Sequence, residues 1–371
     1  MSELPRVLMT GGGTGGHLMP ALAVAERAMR ERVFSTTIVQ SGRAIEKAIL
    51  DSHQVSQREC PPWNFELSGG LPGLWLGWKD AMASANTLLE ETRPSCVVGL
   101  GGSASLPFVY AASQQMIPTV LLEQNVIPGW ANQILWRMVS RVCVSFDETA
   151  SYFRHHAKCV VTGNPLRQEI SDLSLFPTHR EAGLKTLLVL GGSQGAQHVN
   201  EAMEAALELL KLTGSGSEPR WRLHHQVGHQ KREMIPRLTS VCEAAGMVPE
   251  VVDYIDEMGA AYREASVVVT RAGATTLAEL SCLGLPAIIV PIPRSRRNHQ
   301  VINARHFEKS GAAFVVEQQR TPALTAVHLA RQMDRLLGNE ILRGTMSTRM
   351  KSLSHCTASQ NVLGVIRSVL V

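Results

Sequence analysis

Short apolar runs alternate with longer amphipathic stretches along the whole chain, and near its middle the alternation starts again. In the first part, runs at 7–9, 37–39, 96–99, 119–122 and 142–144 have the length and β-branched content of buried strands. The corresponding runs of the second part lie at 187–190, 222–224, 248–252, 267–269, 287–290 and 313–316. Between runs, segments such as "LMPALAVAERAMRE" at 18–31 space their apolar residues three and four apart, as a helix lying on a sheet requires. Strands alternating with helices predict an α/β chain whose parallel sheets are covered on both faces.

The restart is explicit. "KTLLVLGGSQGAQHVNEAMEAALELL" at 185–210 repeats the strand, glycine turn and long helix that open the chain as "VLMTGGGTGGH". Before it, "GNPLRQEISDLSLFPTHREAG" at 163–183 is rich in turn residues and has no sheet pattern, as expected of a linker. Two Rossmann-like, doubly wound parallel-sheet domains are therefore expected, facing a cleft with a glycine loop at each sheet's carboxyl edge. Their bounds are 1–162 and 163–344, with a C-terminal helical segment at 345–371 packing back toward the first domain.

Composition narrows the partners. The length of 371 residues suffices for two such domains, and 44% hydrophobic with 18% charged residues is a globular composition. A net charge of +4 fits an anionic substrate or a membrane surface, and is too weak to argue for nucleic acid. The seven cysteines are dispersed without a CxxC, which reads as reduced cytoplasmic thiols and not as a disulfide framework or zinc site. The N-terminus lacks a signal-peptide pattern, and no window reaches the roughly 18 to 20 apolar residues that span a bilayer. Any membrane contact should thus be peripheral.

The opening turn, Gly11-x-Gly13-x-x-Gly16, matches a dinucleotide-binding fingerprint. Such a site needs an Asp or Glu about twenty residues on, at the end of the second strand. Here "TTIVQSGRA" puts Gln40 or Ser41 there, and Glu46 already belongs to the next helix. A P-loop would need GxxxxGK[ST], but Gly16 is followed by His17 and Leu18. NAD and ATP are both disfavoured, leaving a different phosphate or a plain strand–helix turn.

The second half carries more. "GGSQGA" at 191–196 offers backbone donors and the Ser193 hydroxyl at a helix start. Further on, Arg271, Ala272 and Gly273 turn into a helix beginning near Ala274, with Thr275 and Thr276 placed to cap it. Glu279 follows one turn later, either as an ordinary helix glutamate or as a carboxylate that takes a ribose diol while the helix end faces phosphate. Asn298, His299, Gln300 and Asn303 then surround another helix start with the amide chemistry of sugar-hydroxyl recognition. All of these fall at one edge of one sheet, as a nucleotide-sugar site would.

With these motifs the chain resembles, over nearly its whole length, the family of peptidoglycan glycosyltransferases that add N-acetylglucosamine to undecaprenyl-pyrophosphoryl-N-acetylmuramoyl-pentapeptide (lipid I). The resemblance rests on "GGTGGH" at 12–17, "GLGG" at 99–102, "EQN" at 123–125, "GNPLR" at 163–167, "GGSQGA" at 191–196, "YIDEM" at 254–258, "RAGATTLAE" at 271–279 and "NHQ" at 298–300. It implies a GT-B fold and inverting transfer from UDP-N-acetylglucosamine to the acceptor 4-hydroxyl, giving lipid II. It also implies that Ile255 meets the uracil through its backbone, and that Glu279 holds the ribose. Ser193, Arg167 and the helix start Ala274, Thr275 and Thr276 would surround the diphosphate, with Leu277 and Ala278 following in the same substrate-binding segment. Gln300 and Asn125 would contact the sugar, and Thr14, Gly15 and Gly16 would line the donor side of the cleft. The family pattern is departed from at Leu122, where His is usual, at Ser103 in "GGSASLP", and at Arg297, where an acidic residue is usual. These departures bear on acceptor handling and cleft closure.

The chain has no DxD sequence, so the leaving UDP should be stabilised by helix ends, Ser193 and Arg167, with no metal or other cofactor. A general base must take the 4-hydroxyl proton. His17 is the first candidate and Glu123 the second. The lipid-linked acceptor implies a peripheral place on the cytoplasmic face of the inner membrane. Leu74, Trp75, Leu76 and Trp78 beside Lys79, read as a glycine-punctuated loop, suit a membrane interface. A UDP-N-acetylglucosamine 2-epimerase, a galactolipid synthase and a non-catalytic nucleotide-sugar-binding protein are the rival readings.

Overall fold

Each apolar run becomes a strand of a parallel sheet. In a computed structural model that describes residues 4–11, 15–53, 55–60, 70–154, 156–175, 184–192, 195–210 and 221–370, the chain divides into two units. One comprises Met1–Gln168 with His355–Val371, and the other Glu169–Ser354.

The first unit contains β1 (Arg6–Thr10), β2 (Ser35–Gln40), β3 (Ser56–Glu59), β4 (Cys96–Gly99), β5 (Thr119–Glu123), β6 (Arg141–Val144) and β7 (Cys159–Val161). Among the described residues they form one sheet in the order β3-β2-β1-β4-β5-β6-β7, parallel throughout. The apolar pattern gave no sign of β3 and β7. Both are edge strands, and β3 reads "SQRE" with mostly exposed positions, so no two-faced burial marks it in the sequence. Helices α1 (Gly15–Arg30), α2 (Ala44–Ser52), α3 (Gly70–Thr92), α4 (Ser105–Gln114) and α5 (Trp130–Leu135) connect these strands. On one face Val7 and Met9 pack with Leu18 and Leu22 of α1; on the other Leu8 and Val97 pack with Leu89 of α3 and Phe108 of α4. Continuous burial of alternate side chains on opposite faces is what makes β1 and β4 unbroken apolar runs.

The second unit contains α6 (Gln168–Leu173), whose first residue closes the first unit, and then β8 (Lys185–Leu190), α7 (Gln197–Leu210), β9 (Trp221–Gln226), α8 (Ile235–Ala244), β10 (Val248–Val252) and α9 (Met258–Glu264). After these come β11 (Ala265–Thr270), α10 (Ala274–Leu283), β12 (Ala287–Ile289), α11 (His299–Lys309), β13 (Ala313–Val315), α12 (Pro322–Gly338) and α13 (Glu340–Ser352). The described strands are parallel in the order β10-β9-β8-β11-β12-β13. Leu187, Val189, Val267 and Val269 are buried with Met203 and Leu207 of α7 and Leu329 and Met333 of α12.

The units divide at 168/169 and 354/355, where the sequence suggested 162/163 and 344/345. Two contacts account for the first difference: Ser359 Oγ donates to Leu166 O at 2.9 Å, and Asn361 Nδ2 to Thr162 O at 3.2 Å. They fasten 162–166 to α14 (Ala358–Val369), whose Val362, Leu363 and Ile366 lie in the core beside α1. Residues 345–354 stay in the second unit because α13 buries Met346 in its core. Part of the expected linker is the short helix α6, and 176–183 lie outside the described residues. Cys60, Cys96, Cys143, Cys159 and Cys242 are free thiols, and burial pushes Cys96, Cys143 and Cys242 up to about 12, far from a reactive thiolate. Among the described residues no helix is long and apolar enough to cross a membrane.

Candidate active site

In the second unit the candidate residues follow strand ends. β8 and β11 are neighbours from which the chain departs in opposite directions across the sheet, the switch point where open α/β sheets bind ligands. The glycine loop follows β8. Ser193 lies outside the described residues, but Gly195 is placed: at φ +72° its backbone runs against the Val227 carbonyl so closely that any Cβ would collide with it.

Gln226, the last residue of β9, is almost wholly buried. Its Nε2 donates to Gly192 O at 3.0 Å, and its Oε1 accepts from the Ile255 N–H at 3.1 Å. Ile255 itself follows β10 and is buried. Below this loop His225 Nε2 pairs with Asn200 Oδ1 at 3.0 Å, and Asn200 Nδ2 donates to Val227 O at 2.9 Å.

After β11, Arg271 donates from Nη1 to Val290 O at 3.0 Å, and burial pulls its guanidinium down to about 10. α10 begins at Ala274 with Gly273 as N-cap and no side-chain cap, so Thr275 and Thr276 stand inside the first turn and not at the cap position. Backbone N–H groups of that turn lack helical partners and attract anions. Leu277 faces the core, Ala278 lies half-buried, and Glu279 is buried with its Oε2 accepting from the Tyr262 hydroxyl at 2.8 Å. After β12, Arg294, Arg297 and Asn298 all adopt left-handed φ near +55°, an uncommon run for side-chain-bearing residues. Gln300 turns its Oε1 onto the Ile292 N–H at 3.0 Å, and Asn303 Nδ2 reaches Ala272 O at 3.4 Å.

In the first unit the sites follow β1, β4 and β5. Gly11 has φ +134°, and a Cβ there would lie 2.7 Å from Gly101 O, so only glycine lets the first loop press against the one after β4. Thr14 lies outside the described residues; Gly15 and Gly16 open α1, and His17 follows, half-buried. His17 Nε2 stands 3.5 Å, and Asn132 Nδ2 3.7 Å, from the point a Cβ on Gly101 would occupy.

Glu123 ends β5 fully buried. Its Oε1 accepts from Asn125 N at 3.0 Å and Asn125 Nδ2 at 3.3 Å, and its Oε2 from Gly129 N and Asn132 Nδ2, each at 2.8 Å. Desolvation raises its pKa, against the pull of those donors. Arg167 lies half-buried near the end of this unit's first segment, Met1–Gln168. Asn132, Gln226 and Tyr262 were missed from sequence; an amide or phenol at a strand end or inside a helix has no local signature. Among the described residues no group of His, Cys, Asp or Glu could hold a metal ion.

The N-terminal domain model of glycosyltransferase family 28 matches residues 7–144, and its C-terminal domain model matches 186–361. The chain belongs to glycosyltransferase family 28. Its two Rossmann-like parallel-sheet domains are those of a GT-B fold. Two relatives in this family are named UDP-N-acetylglucosamine–N-acetylmuramyl-(pentapeptide) pyrophosphoryl-undecaprenol N-acetylglucosamine transferase. The one from Syntrophotalea carbinolica is 37% identical, covering 98% of this chain and 99% of its own. That from Geobacter sulfurreducens is 34% identical, covering 96% and 97%. Among solved structures, Acinetobacter baumannii MurG matches with a TM-score of 0.77 at 26% identity over 98% of this chain and 99% of that one. A putative UDP-N-acetylglucosamine 2-epimerase from Listeria monocytogenes matches with a TM-score of 0.69 over 99% and 97%, but at 12% identity that likeness shows the fold alone.

Proposed function

We propose that this family 28 chain transfers N-acetylglucosamine, with inversion, from UDP-N-acetylglucosamine to the 4-hydroxyl of undecaprenyl-pyrophosphoryl-N-acetylmuramoyl-pentapeptide, making lipid II from lipid I. The observation that carries this is the 37% identity, over essentially the full length of both chains, to a transferase of that name. The epimerase reading has only a shared fold in its favour.

The donor's uracil meets the Ile255 backbone, its ribose Glu279, and its diphosphate the 191–196 loop with Ser193, Arg167 and the first turn of α10. That helix start supports a metal-free stabilisation of departing UDP, because its N–H groups are fixed in place before charge develops. Asn125 and Gln300 take the sugar, Gln300 after releasing Ile292. His17 is the base that removes the 4-hydroxyl proton. Its half-buried ring beside the Gly101 loop favours it over Glu123, whose two oxygens already accept four hydrogen bonds in the interior. Glu123 instead anchors Asn125 and the 124–129 turn.

The acceptor's lipid calls for a peripheral seat on the cytoplasmic face of the inner membrane. Trp75 and Leu76 on α3 are 64% and 55% exposed, and Lys79 Nζ lies 5.9 Å from the Trp75 ring centroid, an apolar tip with a cation beside it. The segment is helical where a loop was expected, and Trp78 turns inward, edge-to-face with Tyr110 at 5.7 Å, so it does not extend the exposed tip. Of Leu74 only its place in α3 is described.

The test is radiolabelled UDP-N-acetylglucosamine incubated with a short-chain lipid I analogue. Label in a lipid-soluble disaccharide is expected. Free UDP with N-acetylmannosamine, or binding without turnover, would overturn the assignment.

A further inference from the structure

β9 is the strand between β8 and β10, and Gln226 at its end pairs in register with Leu190 on one side and Val252 on the other. The glycine loop leaves the sheet just past Leu190, and the segment carrying Ile255 leaves just past Val252. A side chain at this position therefore stands between two loops that different parts of a nucleotide would touch. A primary amide presents a donor and an acceptor on separate atoms at its tip, so it can hold one group of each kind at once. Gln226 uses both: its Nε2 holds the carbonyl of Gly192, and its Oε1 holds the N–H of Ile255. Gly195, fitted against the Val227 carbonyl, seats the far end of the same loop on the residue following Gln226.

We infer that Gln226 is the positioning residue that ties the diphosphate loop to the base-reading backbone, and that it sets the preference for uracil. The inference rests on the assignment of Ile255 to the base and of 191–196 to the diphosphate. Gln226 holds the Ile255 N–H, so the backbone that reads the base edge is fixed in place before binding, its carbonyl among the groups offered. A carbonyl held opposite N3 accepts from the N3–H of uracil but faces the bare N3 of cytosine, whose N4 amino group could reach it only if the base or the peptide shifted. Holding Ile255 still thus makes the backbone selective, and holding Gly192 still keeps the loop's donors aimed at the diphosphate. Pre-ordering both loops through one buried side chain lowers the ordering cost of binding.

The test uses the full chain and measures affinity for UDP and CDP by calorimetry, beside thermal unfolding. Gln226→Met keeps length and shape but neither hydrogen bond; it should weaken UDP about 10-fold, abolish most of the preference for UDP over CDP, and affect donor KM more than kcat. Gln226→Glu keeps the acceptor for Ile255 but turns a carboxylate toward the Gly192 carbonyl. It should also weaken UDP, while retaining the preference for UDP over CDP. Wild-type UDP affinity in either variant overturns the inference, as does an equal loss of UDP and CDP in Gln226→Met. If Gln226→Met does not fold, a loss of base preference in Gln226→Glu overturns it, and retained preference with weaker binding supports it. Glu279→Ala serves as the separate control: if it binds UDP like the wild type, the underlying assignment of the nucleotide site fails, whatever Gln226 does.

Discussion

The Tyr262 hydroxyl of α9 donates to Glu279 Oε2 of α10 at 2.8 Å, with both side chains buried. A glutamate that is to hold a ribose diol needs a fixed carboxylate plane, and this phenol fixes one of its oxygens. Tyr262→Phe should weaken UDP binding by about 2- to 10-fold, the worth of one hydrogen bond, and Glu279→Ala by more. In the double variant the Tyr262→Phe loss should vanish, because its partner is gone. Calorimetric titration of the four proteins checks this, and strictly additive losses would refute the coupling.

His17 and Glu123 should separate by phenotype. His17→Ala is expected to lower kcat by about 10²- to 10⁴-fold with donor affinity nearly unchanged. Glu123→Gln puts an amide N–H₂ where an oxygen now accepts two donors, leaving buried groups unmatched at about 1–3 kcal/mol each. It should lower the melting temperature, while the activity that remains keeps the shape of the wild-type pH profile. A stable Glu123→Gln protein with a flattened profile would move the base role to Glu123.

Trp75 and Leu76 should act on membrane affinity and Trp78 on stability. Removing two exposed apolar side chains from an interface forfeits up to about 1.5–3 kcal/mol apiece. Co-sedimentation of Trp75→Ala/Leu76→Ala with anionic vesicles should therefore fall at least about 10-fold. Trp78→Ala should instead lower the melting temperature, since that ring packs on Tyr110. Undiminished vesicle binding by the double variant would remove α3 from the interface.

The sheets were legible because their strands are buried on both faces, so β1, β4, β8 and β11 appear as unbroken apolar runs bounded by glycine turns. The edge strand β3 has no such burial and left no trace in the pattern. At the site, strand-end glycine loops and the Glu279 helix could be read locally, since each is contiguous in sequence. Gln226 and Tyr262 could not, because their significance lies in partners 29 and 17 residues away, brought near only by the sheet. The stretch proposed for the membrane was misread in one respect: glycines at 70, 73 and 77 suggested a loop, but neighbouring leucines, tryptophans and alanines carry α3 through them.

His225 should make the second unit acid-sensitive. Its Nε2 faces Asn200 Oδ1, an acceptor, so that nitrogen carries the hydrogen and the neutral ring leaves Nδ1 bare in the interior. Burial, reinforced by the neighbouring His224, pulls its pKa from 6.5 down to about 3. Between those values the unfolded chain binds a proton that the folded chain refuses, so unfolding free energy rises with pH across the window. The stability is fully present above about pH 6.5 and is lost as the pH falls toward 3. Melting curves taken from pH 7.5 down to pH 4 should show a decline that is shallower in His225→Gln, even though that variant starts lower for want of its fit to Asn200. Burial also lowers the pKa of His224, partly offset by Glu250, so His224→Gln should flatten the decline less. An identical slope in wild type and His225→Gln would assign the acid sensitivity to other groups.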